Sequence, residues 1–256
     1  MKILALGDVT GIVTIPYLQK TLWKQRSTLG ADFVVANGEN VSDIHGISAE
    51  DAEALLDCGI DLITTGNHVF SRKSIGAMLD TSENIIRPAN YPAACPGSGS
   101  VIKLIGGWRL LCMNIMGVVY LEPLASPFET VEKILDREKG NYDFSLLDVH
   151  AEATSEKLAM ARYFDGRINI VFGTHTHVQT ADEQVLPGGT GYITDIGMSG
   201  PAGGILGTAS EPVIARFLTK MPQKFAVADG DISMNGALFD LDTSTGRVTE
   251  VKRVKF

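Results

Sequence analysis

Three stretches near the amino end decide the fold: KILALGD (Lys2–Asp8), FVVANGEN (Phe33–Asn40) and LITTGNH (Leu62–His68). Each opens as a short apolar run, Ile3–Leu6, Phe33–Ala36 and Leu62–Thr64, and closes on polar groups beside a glycine. Runs without polar alternation suit strands covered on both faces, as in parallel sheets. Between them, Pro16–Leu29 and Ser48–Cys58 carry helical patterns. Pro16 suits a first helical turn, and Ser48 is an N-cap residue with Asp51 three positions on and Gly59 past the end. This βαβαβ alternation predicts an α/β sheet.

Outward from there the pattern loosens. Ile86–Ser100 is rich in Pro, Gly, Ala and Asn and reads as a loop. Val101–Ile105 and Arg109–Ile115 flank Gly106-Gly107-Trp108, a hairpin signal. Helices are predicted over Thr130–Glu138, Ser155–Phe164 and Pro212–Thr219, and strands over Phe144–Val149 and Ile168–Phe172. Gly188–Ile196 is a glycine-punctuated strand region, and Lys224–Lys255 reads as a β-meander turning at Asp229-Gly230 and Thr245-Gly246. Strands near both chain ends predict two packed sheets. With no repeat or linker, residues 1–256 read as a single domain.

Composition narrows the function. A chain of 256 residues with 45% apolar and 20% charged residues is a globular protein and should bury roughly 70–75% of its extended surface without staples. Its 22 basic and 30 acidic residues leave a charge of −8, which argues against a long nucleic acid as partner. Cys58, Cys95 and Cys112 are odd in number and form no C-x-x-C pair. A disulfide framework is therefore not expected and a reducing compartment is. MKILALGDVTG lacks the long apolar run of a secretory signal, and no stretch reaches membrane-span length, so a cytoplasmic protein is expected.

Four of the five histidines sit just past an apolar strand, where α/β proteins place their sites. Asp8 follows Ile3–Leu6, Glu39 and Asn40 follow Phe33–Ala36, and Asn67 and His68 follow Leu62–Thr64. His150 follows Phe144–Val149, and His175 and His177 follow Ile168–Phe172. Imidazole and carboxylate are the usual ligands of catalytic iron, manganese and zinc. A carboxylate can also bridge two ions, as two-metal phosphoesterases require. Taken singly, each group has a plain reading: Asp8 as a cap or turn, Glu39-Asn40 as a turn beside Gly38, His175-x-His177 as a structural pair. In Gly66-Asn67-His68 the glycine would permit a sharp bend, and H-x-H would put both imidazoles on one side of an extended segment. His45 has no partner motif and reads as a surface loop residue. No G-x-S-x-G elbow or P-loop lysine is present, and neither Cys58 nor Cys112 looks activated.

The joint pattern identifies a family. Gly7-Asp8, NGEN (Asn37–Asn40), GNH (Gly66–His68), HAEATSEK (His150–Lys157) and GTHTHVQTAD (Gly173–Asp182) resemble the calcineurin-like metallophosphoesterases, and within them the bacterial YmdB-like branch. RPANYP (Arg87–Pro92) and TDIGM (Thr194–Met198) also match. The resemblance implies a four-layer α/β/β/α sandwich of two packed mixed β-sheets holding two divalent metal ions, iron or manganese ahead of zinc. By position Asp8, Glu39, Asn40 and His177 would hold one ion, and Glu39, Asn67, His150 and His175 the other. A bridging hydroxide would attack phosphorus in line, with His68 as the catalytic residue that stabilises the developing charge or protonates the leaving oxygen. The implied substrate is a small phosphodiester, a cyclic nucleotide of the 2′,3′ type. A regulatory phosphate- or nucleotide-binding protein and a phosphomonoesterase are the alternatives. A homo-oligomer through the Ile86–Ser100 and Val118–Ser126 loops stays open. The sequence departs from the branch at peripheral positions: no Arg in Gly11–Ile15, Phe70-Ser71 after the Asn-His pair, Val118 after Gly117, and Ala202-Gly203 after Gly200-Pro201. These predict an outer pocket more apolar than its relatives'.

Overall fold

The first strand, β1 (Lys2–Leu6), turns Leu4 and Leu6 to one face and Ile3 and Ala5 to the other. Side chains alternate along a strand, so one strand feeds two cores. The computed structural model describes residues 1–256 and repeats this division throughout. After β1 come β2 (Asp8–Val9), α1 (Ile15–Leu29), β3 (Phe33–Asn37), α2 (Ala49–Asp57), β4 (Leu62–Thr64) and α3 (Ile75–Thr81). The middle runs β5 (Ser100–Ile105), β6 (Trp108–Met116), α4 (Pro127–Arg137), β7 (Phe144–His150), α5 (Thr154–Tyr163) and β8 (Ile170–Thr174). Then follow β9 (Gln184–Val185), β10 (Gly191–Ile193), β11 (Met198–Pro201), α6 (Ser210–Thr219), β12 (Ile232–Ser233), β13 (Asn235–Asp242) and β14 (Arg247–Lys255).

Two large mixed sheets result. One has the order β14-β13-β1-β3-β4, the other β5-β6-β7-β8-β10-β9. Within them β1, β3 and β4 are mutually parallel, as are β6, β7, β8 and β10; antiparallel strands occupy the remaining places. A small sheet, β12-β11-β2, joins Asp8 to Met198. The inner faces meet in a core of Ile3, Ala5, Phe33 and Val35 against Cys112, Leu146 and Phe172. Outside the first sheet, Leu18, Leu22, Leu55 and Leu79 of α1–α3 cover Leu4 and Val34. Outside the second, Val131, Ile134 and Met160 of α4 and α5 cover Leu111, Leu147 and Val171. The architecture is the four-layer α/β/β/α sandwich of the metallophosphoesterase fold. No helix is long and apolar enough to cross a membrane.

Several local signals act as read. Ser48 Oγ accepts from the Asp51 N–H at 3.1 Å, and Gly106 and Gly107 make the hairpin turn with φ of 55° and 92°, the left-handed pair that a two-residue hairpin needs. Others differ. The helix expected from Thr130 starts at Pro127, because Ser126 caps it through the Glu129 N–H. α3 has no counterpart in the sequence pattern; its seven residues are too few to show a period. The expected meander over Lys224–Lys255 is a hairpin, β13–β14, preceded by the two-residue β12. Lys224–Ala228 joins no sheet and touches the fold by a bridge from Val227 to Thr208.

Candidate metal centre

The inner faces of both sheets turn polar at one end. Alternation carries Phe33 and Val35 on to Asn37, Leu62 to Thr64, Cys112 to Asn114, Leu146 to Asp148 and His150, and Phe172 to Thr174. All these polar residues are fully buried. Buried polar groups need partners, and here the two sheets supply them to each other, save at Asn114 Nδ2, which has none. The Thr64 hydroxyl donates to Asp148 at 2.5 Å and the Thr174 hydroxyl at 2.7 Å. The Thr65 N–H donates to Asn114 Oδ1 at 3.2 Å. Asn37 takes the Glu39 N–H on Oδ1 at 3.1 Å and sets Nδ2 at 3.3 Å from His150 Nδ1.

The predicted residues gather on this polar floor as two groups. In the first, His150 Nε2 lies 3.0 Å from Glu39 Oε1, 3.0 Å from Asn67 Oδ1 and 3.1 Å from His175 Nδ1. Glu39, His150 and His175 offer one ligand atom each within 4.8 Å of one another. In the second, His177 Nε2 lies 3.2 Å from Asn40 Nδ2 and 3.8 Å from Asp8 Oδ1. Asp8 also joins the groups, because its Oδ2 accepts the His175 N–H at 3.2 Å. His68 reaches the same place: its N–H donates to Glu39 Oε2 at 2.9 Å, and its ring lines the cleft above.

Each imidazole is aimed from behind. His150 Nδ1 is 2.9 Å from the Thr174 hydroxyl, which itself donates to Asp148. His175 Nε2 faces Glu152 at 3.1 Å, and His177 Nδ1 faces the Leu206 carbonyl at 3.2 Å. Outer partners of this kind fix which ring nitrogen is free to ligate. The loop between the last two histidines hangs on Asp195, which accepts from the Thr176 N–H at 3.1 Å and the Thr176 hydroxyl at 2.8 Å. Lys157, buried like its partner, pairs with the same carboxylate at 2.7 Å.

Two expectations about geometry are corrected. The segment after β8 is not extended: φ is 100° at His175 and 64° at His177. Those left-handed values, unusual for a residue with Cβ, send one imidazole to each group rather than both to one side. Gly66 has no positive φ; its role is space, since a Cβ there would stand 2.2 Å from the His150 ring. His45 is on a surface loop as read, yet its ring stacks on His68 and lines the cleft. Asn37, Glu152, Thr174 and Asp195 fall inside the quoted motifs without being named there as site residues, and Asp148 lies outside them. A signal for Asp148 exists: one carboxylate inside an apolar strand, two residues before a histidine.

The cleft is about 200 Å³ and lined on its apolar side by Ile44, Leu206 and Phe225. Ile12 and Val13, in the loop without the expected Arg, are 53% and 49% exposed and line no part of it. Of the departures, only the loop that opens with Ala202-Gly203 reaches the cleft, through Leu206; Ile44 and Phe225 come from other segments.

The field of the protein's own charges is strong here. Burial pushes the Glu39 carboxyl up, but His150 opposite and the His68 N–H outweigh it and hold it at about 2. Burial disfavours imidazolium at His150, yet Glu39, Asp8 and Asp148 lift it to about 9. Burial, with His150 adding to it, drops His175 to about 3. Burial raises Asp8.

A cation fits this arrangement. Asp8 Oδ1 is buried with no hydrogen-bond partner, an expensive state for a carboxylate unless a cation faces it. Around His150 Nε2, three lone-pair-bearing atoms face a nitrogen that carries at most one proton. The donors are oxygen and imidazole nitrogen with no thiolate, the set that suits first-row divalent ions.

Fold and site define a metallophosphoesterase. Within that class the chain belongs to the YmdB-like protein family, whose model matches residues 4–254. A Bacillus subtilis (strain 168) protein named 2′,3′-cyclic-nucleotide 2′-phosphodiesterase is 39% identical over 254 residues, covering 99% of this chain and 96% of its own. The crystal structure of a hypothetical protein from Thermus thermophilus superposes with a TM-score of 0.94 at 39% identity, covering 100% of this chain and 99% of that one. A novel phosphatase from Mycoplasma pneumoniae superposes with the same TM-score at 31% identity, covering 100% and 93%.

Proposed function

We propose that this protein is a metal-dependent phosphodiesterase that hydrolyses small cyclic nucleotides of the 2′,3′ type. The observation that carries the reading is the convergence of Asp8, Glu39, Asn40, Asn67, His150, His175 and His177 in two adjoining groups, four of them lining the cleft, with buried Asp8 Oδ1 left unpartnered. The substrate class comes from the Bacillus subtilis relative, similar over almost the whole chain. Residues 1–256 act as one domain.

In this reading two divalent ions, iron or manganese, are the cofactors. Asp8, Glu39, Asn40 and His177 would hold one, and Glu39, Asn67, His150 and His175 would hold the other. Such ions supply Lewis acidity toward phosphoryl oxygens and a water nucleophile at neutral pH. The chain's residues do the rest. Glu39 is held by the His68 N–H and by its Asn37-bound backbone. Thr174, Glu152 and the Leu206 carbonyl keep the ligating nitrogens of His150, His175 and His177 turned inward. His68 lines the cleft outside the ligand set. Its ring hydrogen-bonds the phosphoryl group or protonates the leaving oxygen.

The test is turnover of bis-p-nitrophenyl phosphate by metal-analysed protein with Glu39→Gln beside it. The expected result is metal-dependent turnover in the wild type and a loss of about 100-fold or more in the variant, because Glu39 serves both ions. No turnover from protein holding two ions per chain would overturn the hydrolase reading.

A further inference from the structure

His45 is the one histidine that the ligand set and the reaction leave without a task. Its ring lies on that of His68 with centroids 4.2 Å and planes 29° apart, and both rings line the cleft. His68 is tied down at its backbone, where the N–H donates to Glu39. Neither of its ring nitrogens has a hydrogen-bond partner in the protein. The stack with His45 is thus a contact available to orient the imidazole.

The loop that carries His45 is fixed at its backbone. The Ser42 N–H donates to the Gly46 carbonyl at 3.1 Å and closes the loop. Arg72, from the segment just past His68, pairs with Asp43 at 2.7 Å and donates to the Ser42 carbonyl at 3.0 Å. The Ser42 hydroxyl accepts the Ser48 N–H at 2.8 Å and donates to Asp51 at the start of α2. Gly46, with φ of 87°, packs so close to Arg72 that a Cβ would stand 2.9 Å from its side chain. The two ring-bearing segments are thus clamped to each other, and a stacked pair of rings is the outcome.

We infer that His45 is a positioning residue: the face of its ring holds the His68 imidazole toward the leaving oxygen of the diester. The inference rests on the phosphodiesterase reading above. In the step concerned, a water oxygen bonds to phosphorus and the phosphorus–oxygen bond to the leaving group breaks, its electron pair staying on the leaving oxygen. That oxygen takes a proton from His68. Of the two water protons, one stays with the phosphate product and the other passes to solvent, from which His68 is reloaded. A p-nitrophenolate leaves without a proton donor, whereas a ribose 2′-alkoxide needs one. Stacking uses the ring face and not its nitrogens, so another aromatic ring should replace His45.

The experiment compares wild type, His45→Ala, His45→Phe and His68→Ala on bis-p-nitrophenyl phosphate and on 2′,3′-cyclic AMP, with metal content measured for each. The expected result is that His45→Ala lowers kcat on the cyclic nucleotide about tenfold more than on the aryl ester. KM and metal content stay within about twofold, and His45→Phe recovers most of the loss. Equal losses on both substrates, or a His45→Phe variant as slow as His45→Ala, would overturn the proposal. A His68→Ala variant that discriminates between the substrates beside a His45→Ala that does not removes the stacking role alone. A His68→Ala that fails to discriminate, or a wild type inactive on both substrates, removes the underlying reading as well.

Discussion

His150 and His177 belong to the two adjoining halves of one site and are held in opposite ways. His150 is fully buried at the end of β7, and its Nδ1 leans on Thr174, which leans on Asp148, which Thr64 of the other sheet also grips. His177 lies on a loop, and its Nδ1 leans on the carbonyl of Leu206, itself 50% exposed and at a positive φ. The segment beyond Leu206 carries α6, none of whose residues is buried. The His150 half is fixed by two sheets. In the His177 half Asp8 and Asn40 are buried too, but His177 itself rests on a surface segment held by backbone bonds to Ala226 and Ala228. Local stability follows contact density, so the His177 half should open and exchange its ion the more easily.

Five substitutions probe that contrast, the most damaging first. Lys157→Met leaves the Asp195 carboxylate buried without its ion partner, a change expected to cost about 3–5 kcal/mol. Urea unfolding measures it, and because Asp195 also holds Thr176 between the two histidines, metal loss should accompany it. His150→Ala should lower turnover by about 100-fold or more and remove about one ion per chain by elemental analysis. His177→Ala should also lose one ion; if it instead emptied both sites, the halves would not be independent. Asp148→Asn keeps the shape but gives two hydroxyl donors one acceptor oxygen fewer. Metal affinity should fall about 10- to 100-fold, read by competition with a chelating dye, with the fold intact. At the quiet end, Phe217→Ser on α6, at a position 71% exposed, should change stability by no more than about 0.5 kcal/mol in a thermal melt. A larger drop would mean that α6 is anchored more firmly than its exposure suggests.

The candidate ligands are legible because each is a polar residue ending an apolar run, and parallel strands of one sheet end at one edge. Asp8, Glu39, Asn40, Asn67, His68, His150, His175 and His177 can be named on that ground with no knowledge of which sheet holds which. The residues behind them are harder to see. Thr64, Thr174 and Asn37 are common residue types, and their value comes from a partner 24 to 113 positions away. Asp148 announces itself as a charge in an apolar strand, but its partners do not.

The chain alone determined the βαβ order, the face that each strand residue takes and the metal-binding character of the strand ends. These follow from periodicity and side-chain chemistry, which are local. Only the tertiary structure decided the rest. It set β7 beside β8 so that His150 meets Thr174 in register. It laid Gly66 under the His150 ring, where no Cβ fits. It bent the backbone at His175 and His177 into left-handed conformations that divide them between two groups, and it brought His45 onto His68. Each of these depends on distances between segments far apart in sequence, which packing fixes and no local pattern encodes.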